Sequence, residues 1–162
     1  MGSGKSAVGR KLARELGMAF HDSDEAIEAR TGVDIPYIFE KEGEAGFRQR
    51  EAAIISELVA EKGMVLATGG GAVQDSENRR LLQTHGTVVY LYTSVPEQRR
   101  RTRKSQNRPL LQDGDPGETL ERLMAIRDPQ YREIADITIE TDGRQVAAVT
   151  HELKKALDAN TD

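Results

Sequence analysis

The segment Gly2-Ser3-Gly4-Lys5-Ser6 constrains this chain more than any other stretch. With Met1 it matches the second half of the phosphate-binding loop G-x-x-x-x-G-K-[ST]. Glycines let the backbone curl until successive N–H groups converge on phosphate oxygens. In that pattern Lys5 reaches the β- and γ-phosphates, and the Ser6 hydroxyl holds Mg²⁺. A helix must follow, because its N-terminal end turns positive partial charge toward the same anion. Ser6 to Leu16 supplies it: Val8, Leu12, Ala13 and Leu16 share a face, and Gly17 is the stop signal. Gly9 inside the helix costs about 1 kcal/mol in propensity and so predicts close helix–sheet contact. The full motif needs a glycine five positions ahead of Gly4, and the strand that feeds such a loop is expected upstream of Met1. Taken alone, the tripeptide G-K-S also fits chance or an expression-tag scar.

Composition narrows the class. The 162 residues are enough for one domain with its own core, expected to span 1–162. Charged residues make up 31%, aromatics 4%, and there is no Trp, which suits a helix-rich α/β protein better than a β-sandwich. The net charge of −4 gives no global attraction to nucleic acid or to an anionic membrane. With no Cys there is no disulfide framework, which fits a reducing compartment and a cytoplasmic location. The apolar runs are strand-length, short of the roughly 20 residues a membrane span needs.

Strand and helix patterns alternate along the chain, implying a parallel sheet covered by helices on both faces. Met18 to His21 reads as a strand running into Asp22-Ser23-Asp24. A D-x-D at a strand's C-terminal end lies at the rim where α/β proteins bind ligands, yet Asp22 or Ser23 equally fits a helix N-cap. Short and long helices follow over Tyr37–Glu42 and Glu44–Lys62, separated by Gly43. Arg48 lies beside the buried stripe of the second, and spacing alone reads it as a surface arginine. Met64 to Ala67 is a buried strand ending in Thr68-Gly69-Gly70-Gly71-Ala72, where three glycines predict a close ligand approach. Asp75–His85 is a helix, Thr87–Tyr92 a strand, and Ser94 with Glu97 forms a capping-box pattern. The basic run Arg99-Arg100-Arg101, Arg103, Lys104 and Arg108 lacks aromatics for base stacking, so it reads as a flap over nucleotide phosphates. Thr119–Arg127 is a helix that places Arg127 on its packed face, where a buried cation needs an anion: Asp128, a nearby Glu, or a substrate carboxylate. Asp136–Glu140 is the last strand, and Gln145–Leu157 the closing helix with Val146, Val149, Leu153 and Ala156 inward.

These motifs, in this order and spacing, resemble the shikimate kinase family nearly end to end. The carrying pieces are G-S-G-K-S, D-S-D at Asp22–Asp24, F-R-x-x-E at Phe47–Glu51, T-G-G-G-A at Thr68–Ala72, R-P-L-L at Arg108–Leu111 and R-x-x-x-Y at Arg127–Tyr131. The resemblance implies a three-layer α/β/α P-loop fold of the nucleoside-monophosphate-kinase type, here without its first, central strand. It implies substrate-binding helices at about 24–62 and a lid at about 103–117. It implies transfer of the ATP γ-phosphoryl group to the 3-hydroxyl of shikimate, in the pathway to chorismate and the aromatic amino acids, with ATP and Mg²⁺ as cofactors, a monomeric state, and no nucleic-acid or membrane partner. Gly2, Ser3, Gly4, Lys5, Ser6 and Ala7 are implied to hold ATP, with Arg101 and Arg144 near its adenine. Ser6 and Asp22 are implied to support the metal. Asp24 is the implied proton acceptor, with Lys5 and Arg108 on the transferring group. Arg48, Arg127 and the Gly69, Gly70, Gly71 backbone complete the implied shikimate site. Ala7 departs from the hydroxyl residue usual after the loop serine. A related polyol-acid kinase of the gluconate type is the alternative within the class. An impaired binding domain, from the missing loop start, is the alternative outside it.

Overall fold

A computed structural model of the chain describes residues 2–104 and 108–161. The first helix, α1 (Lys5–Leu16), starts where Gly4 turns the backbone left-handed at φ 81° and stops at Gly17, φ 66°. After it come β1 (Ala19–Asp22), α2 (Ser23–Thr31), α3 (Ile35–Leu58) and β2 (Met64–Ala67). The second half runs α4 (Ser76–His85), β3 (Val89–Tyr92), α5 (Val95–Thr102), α6 (Pro116–Ile134), β4 (Ile137–Glu140) and α7 (Val146–Thr161). Single 3₁₀ turns occupy Ala72–Gln74 and Pro109–Leu111.

The strands pair in parallel, as strand–helix alternation requires. β1 lies beside β2 with Asp22 opposite Ala67, and β3 beside β4 with Tyr92 opposite Glu140. Among the described residues no ladder joins the two pairs, the pattern expected of a sheet without its central strand. Side chains bridge them instead: Val65 of β2 packs on the cluster of Leu91, Ile139, Val8, Leu12, Val149 and Leu153. The close approach expected at Gly9 is present, since a Cβ there would lie 2.7 Å from the Phe20 ring. A second core, Ile27, Ile38, Phe47, Ile54 and Leu58, fixes α2 against α3. On its other side α3 buries Ile55 against Ala72, next to the glycine segment.

Several elements differ from the sequence expectation, each for a local reason. The two helices around Gly43 run on as one element broken only at that residue, whose φ of 71° and ψ of −179° no helix tolerates. α6 continues past Arg127 through Pro129 to Ile134. Pro129 and Ala125, the residue whose carbonyl it leaves unpaired, are both exposed, so water can take that carbonyl. Val146 opens α7 with 37% of its surface exposed instead of facing inward. The capping box at Ser94 is only half made. Ser94 Oγ accepts the Glu97 N–H at 3.4 Å, but the Ser94 N–H goes to Asp142 at 3.0 Å. Glu97 is drawn away by Arg100 and Arg101. Among the described residues no helix is long and apolar enough to cross a membrane.

Candidate active site

The two readings of Asp22, cap and site residue, are both realised because its two oxygens divide the work. Oδ1 accepts the N–H groups of Asp24 at 2.9 Å and Glu25 at 3.2 Å, capping α2. Oδ2 accepts the Ser6 hydroxyl at 2.5 Å, tying the end of β1 to the phosphate loop. Ser6 and Asp22 thus bring hard oxygen donors together at the first turn of α1. That donor set fits Mg²⁺, which takes one or two protein oxygens and completes its shell with water and phosphate. Among the described residues no cluster of three or more His, Cys, Asp or Glu side chains offers an all-protein metal cage.

The cap at Asp22 places Asp24 one residue into α2, with its Oδ1 buried and unpartnered. Burial pushes the Asp24 carboxyl above the usual carboxylate range, and the Asp22 charge adds to it, against the pull of Lys5 and Arg48. Lys5 donates to Ser3 Oγ at 3.4 Å. Burial draws its ammonium pKa down, Arg108 and Arg127 push the same way, and Asp24 and Asp22 resist. Lys5, Asp22, Asp24, Arg108 and Arg127 therefore share one field at one rim. Gly2 at φ 67° and Gly4 at φ 81° give the loop the left-handed turns a phosphate cradle needs.

The substrate side is built around the glycines after β2. Gly69 N–H donates to the fully buried Ser23 Oγ at 3.0 Å, fastening the segment to α2. A Cβ on Gly69 would lie 2.8 Å from Glu51 Oε2 and 2.9 Å from Asp24 Oδ1. One on Gly71 would lie 2.3 Å from Arg48 Nη2. Close approach, not turn flexibility, is thus what excludes side chains at these two positions. Arg48 is not a surface arginine: its side chain is 23% exposed and donates from Nη1 to Glu51 Oε1 at 2.8 Å. Glu51, 1% exposed, is pushed up by burial, with the Arg48 charge opposing.

Arg127 is 4% exposed, and its Nε has no hydrogen-bond partner. Asp128, a candidate to neutralise it, turns elsewhere, accepting from Tyr90 Oη at 2.7 Å and Arg132 Nε at 3.0 Å. Burial draws the Arg127 guanidinium down and the Arg48 charge adds to it, while Tyr131 and Glu51 support the protonated form. Arg108 is half-buried with an unpartnered Nε, and Asp24 is the charge that supports its protonated form. Of the expected lid, residues 105–107 lie outside the described residues.

On the nucleotide side, Arg101 spends every nitrogen on the protein. It donates to Glu97 at 2.9 Å, to Gly2 O at 3.0 Å, and to Thr141 Oγ1 and O at 3.1 and 2.9 Å. The flat faces of its guanidinium and one Nη2 N–H remain for a ligand. Arg144 donates to Glu140 O at 3.0 Å and pairs with Glu152, which anchors the turn after β4. Ala7 is exposed at the start of α1. Three residues of the site were given no site role by the sequence: Ser23, read only as a possible cap, and Glu51 and Tyr131, present only as motif ends. Glu51 and Tyr131 lie one helical turn beyond Arg48 and Arg127, a spacing that marks side-chain neighbours on a helix. Ser23 gave no such signal.

A phosphate loop on a parallel α/β scaffold, with a buried carboxylate among four cations, defines a P-loop small-molecule kinase. The comparisons narrow this further. The family model described as shikimate kinase matches residues 1–158. The shikimate kinase of Halorhodospira halophila is 59% identical over 97% of this chain and 89% of its own length. That of Pseudomonas syringae pv. syringae is 59% identical over 94% of this chain and 89% of its own. Among solved structures, the shikimate kinase of Acinetobacter baumannii in complex with shikimate superposes with a TM-score of 0.97 at 50% identity, covering 99% of this chain and 89% of that one. The Aquifex aeolicus shikimate kinase gives 0.87 at 34% identity, covering 99% and 94%. The chain belongs to the shikimate kinase family, and its chemistry is ATP-dependent phosphorylation of shikimate.

Proposed function

We propose that the residues at this rim divide the reaction as follows. Gly2 to Ala7 wrap the ATP phosphates, and the Arg101 face and the Arg144 turn border the adenine. Ser6 and Asp22 hold Mg²⁺, which when bound neutralises charge on the phosphate oxygens. Arg48 and Arg127 grip the substrate carboxylate through planar forks that lysine cannot reproduce, and Gly70 offers a backbone N–H. Asp24 Oδ1 accepts the proton of the 3-hydroxyl as its oxygen bonds to the γ-phosphorus and the bond to the ADP oxygen breaks. Lys5 and Arg108 stabilise the transferring group, for which charge and position matter more than covalent participation. The lid at about 103–117 excludes water as a competing acceptor. In this reading the chain acts as a monomer.

The observation that carries the reading is the pairing of two deficits. Asp24 has a buried acceptor with no donor, and Arg127 has a buried donor with no acceptor. A hydroxylated carboxylate supplies both. A coupled ADP-release assay with ATP and Mg²⁺ against shikimate, quinate and gluconate tests it. Turnover is expected with shikimate at far the highest kcat/KM. Equal or greater turnover with gluconate refutes the fit of this site to shikimate and favours the related polyol-acid kinase, and shikimate binding without ADP release refutes the catalytic assignment.

A further inference from the structure

Tyr131 belongs to none of the roles above, yet its hydroxyl lies at the joint between two elements of the substrate site. It donates to Gly70 O, across 61 residues of sequence. Arg127 lies one turn back on α6, and its charge opposes the rise that burial causes in the tyrosine pKa. The ring is held independently. It packs on Tyr90 with centroids 4.7 Å apart, Tyr90 Oη donates to Asp128, and Arg132 bridges Asp128 and the Tyr90 and Tyr92 faces. The hydroxyl is therefore presented from a rigid aromatic stack.

The consequence follows from peptide planarity. The Gly70 carbonyl and the Gly71 N–H belong to one trans peptide unit and point in opposite directions. Whatever fixes the carbonyl aims the amide. Among the described residues neither the Gly70 nor the Gly71 N–H has an acceptor in the chain. Between two glycines this peptide has little steric resistance to rotation, so an external hold is needed to keep its amide directed. Gly71 also carries Arg48 on its Cα. Rotation of this peptide would disturb one arginine of the proposed clamp.

We infer that Tyr131 is a positioning residue for substrate binding: its hydroxyl locks the Gly70–Gly71 peptide, and with it the seat of Arg48, into the anion-binding array. The inference rests on the assignment of Arg48 and Arg127 to the substrate carboxylate. Tyr131→Phe keeps the ring and the stack and removes only the hydroxyl. Losing one buried hydrogen bond to a site is worth roughly tenfold in affinity. The expected result is a shikimate KM about tenfold higher, with the ATP KM close to that of the unaltered protein and a melting temperature lowered only as far as one part-buried hydrogen bond requires. The 1-hydroxymethyl analogue of shikimate, which lacks the carboxylate, is expected to react equally with both proteins. An unchanged shikimate KM overturns the proposal. So does a parallel rise in both KM values with a lowered melting temperature, which is the signature of a merely structural tyrosine. Arg127→Ala, measured alongside, separates the two levels. If it leaves the shikimate KM unchanged, the clamp itself is wrong; if it raises that KM while Tyr131→Phe does not, only the positioning role fails.

Discussion

Gly71→Ala isolates the contact between the glycine segment and Arg48. Gly71 has φ −92° and ψ 0°, which alanine adopts without backbone strain, so only the added methyl is tested. That methyl would lie 2.3 Å from Nη2 and 2.6 Å from Cζ and Nη1 of Arg48, where ordinary contact begins at 3.4 Å. The guanidinium must retreat by about 1 Å, as the difference of those distances requires. It cannot do so freely, because Nη1 is tied to the buried Glu51 carboxylate at 2.8 Å. Moving it strains or breaks a charge-assisted hydrogen bond worth about 1.5–3 kcal/mol and takes one proposed carboxylate partner out of place. The shikimate KM should rise about 10- to 100-fold, while the ATP KM stays within about twofold, since none of the residues proposed to hold the nucleotide touches Gly71. Initial rates by coupled ADP release, titrating each substrate at saturation of the other, read both constants. Gly86→Ala, at φ 178° with nothing within 4 Å of the added carbon, is the neutral comparison. If Gly71→Ala behaves like Gly86→Ala, Arg48 does not bind substrate from this position.

Further outcomes concern the carboxylate, the metal site and the core. Asp24→Asn should lower kcat by at least ~100-fold through loss of the proton acceptor; near-normal turnover in a single-turnover assay would remove Asp24 from that role. Because Asp24 must be ionised to accept a proton and its pKa is raised, the acid limb of the pH–rate profile should lie above the usual carboxylate value of about 4. A raised folded-state pKa also means that the Asp24 contribution to stability is fully present below its unfolded pKa and is lost as pH rises through its folded pKa. Asp24→Asn should therefore melt higher than the unaltered protein at neutral pH, with the gap closing in acid; scanning calorimetry across pH checks the sign. Ser6→Ala should raise the Mg²⁺ concentration for half-maximal rate by about tenfold, because it removes one proposed ligand and the donor to Asp22; an unaltered Mg²⁺ titration would contradict the metal assignment. Ile55→Ala empties a site with 0% exposure and should cost about 2–5 kcal/mol in urea unfolding.

The local alphabet of the fold could be read without coordinates. The cap candidates at Asp22 and Ser94, the stop at Gly17, and the break at Gly43 all depend on a residue and its immediate neighbours. So did the phosphate loop, because the glycines that permit its curl are consecutive in sequence. The strand–helix alternation fixed the parallel pairing for the same reason, as each crossover is contained in a single segment. What neighbours alone could not settle was which way a charged side chain turns. Spacing put Arg48 at the surface, but Gly71, 23 positions later, leaves the gap into which it folds. Spacing offered Asp128 to Arg127, but Tyr90 and Arg132 claim it from elsewhere. The two oxygens of Asp22 serve two elements at once, which no one-dimensional pattern encodes. Sequence alone determined the chain's local geometry and its stock of charges. Tertiary packing decided which of those charges are left without partners, because burial and competition among distant neighbours set that balance.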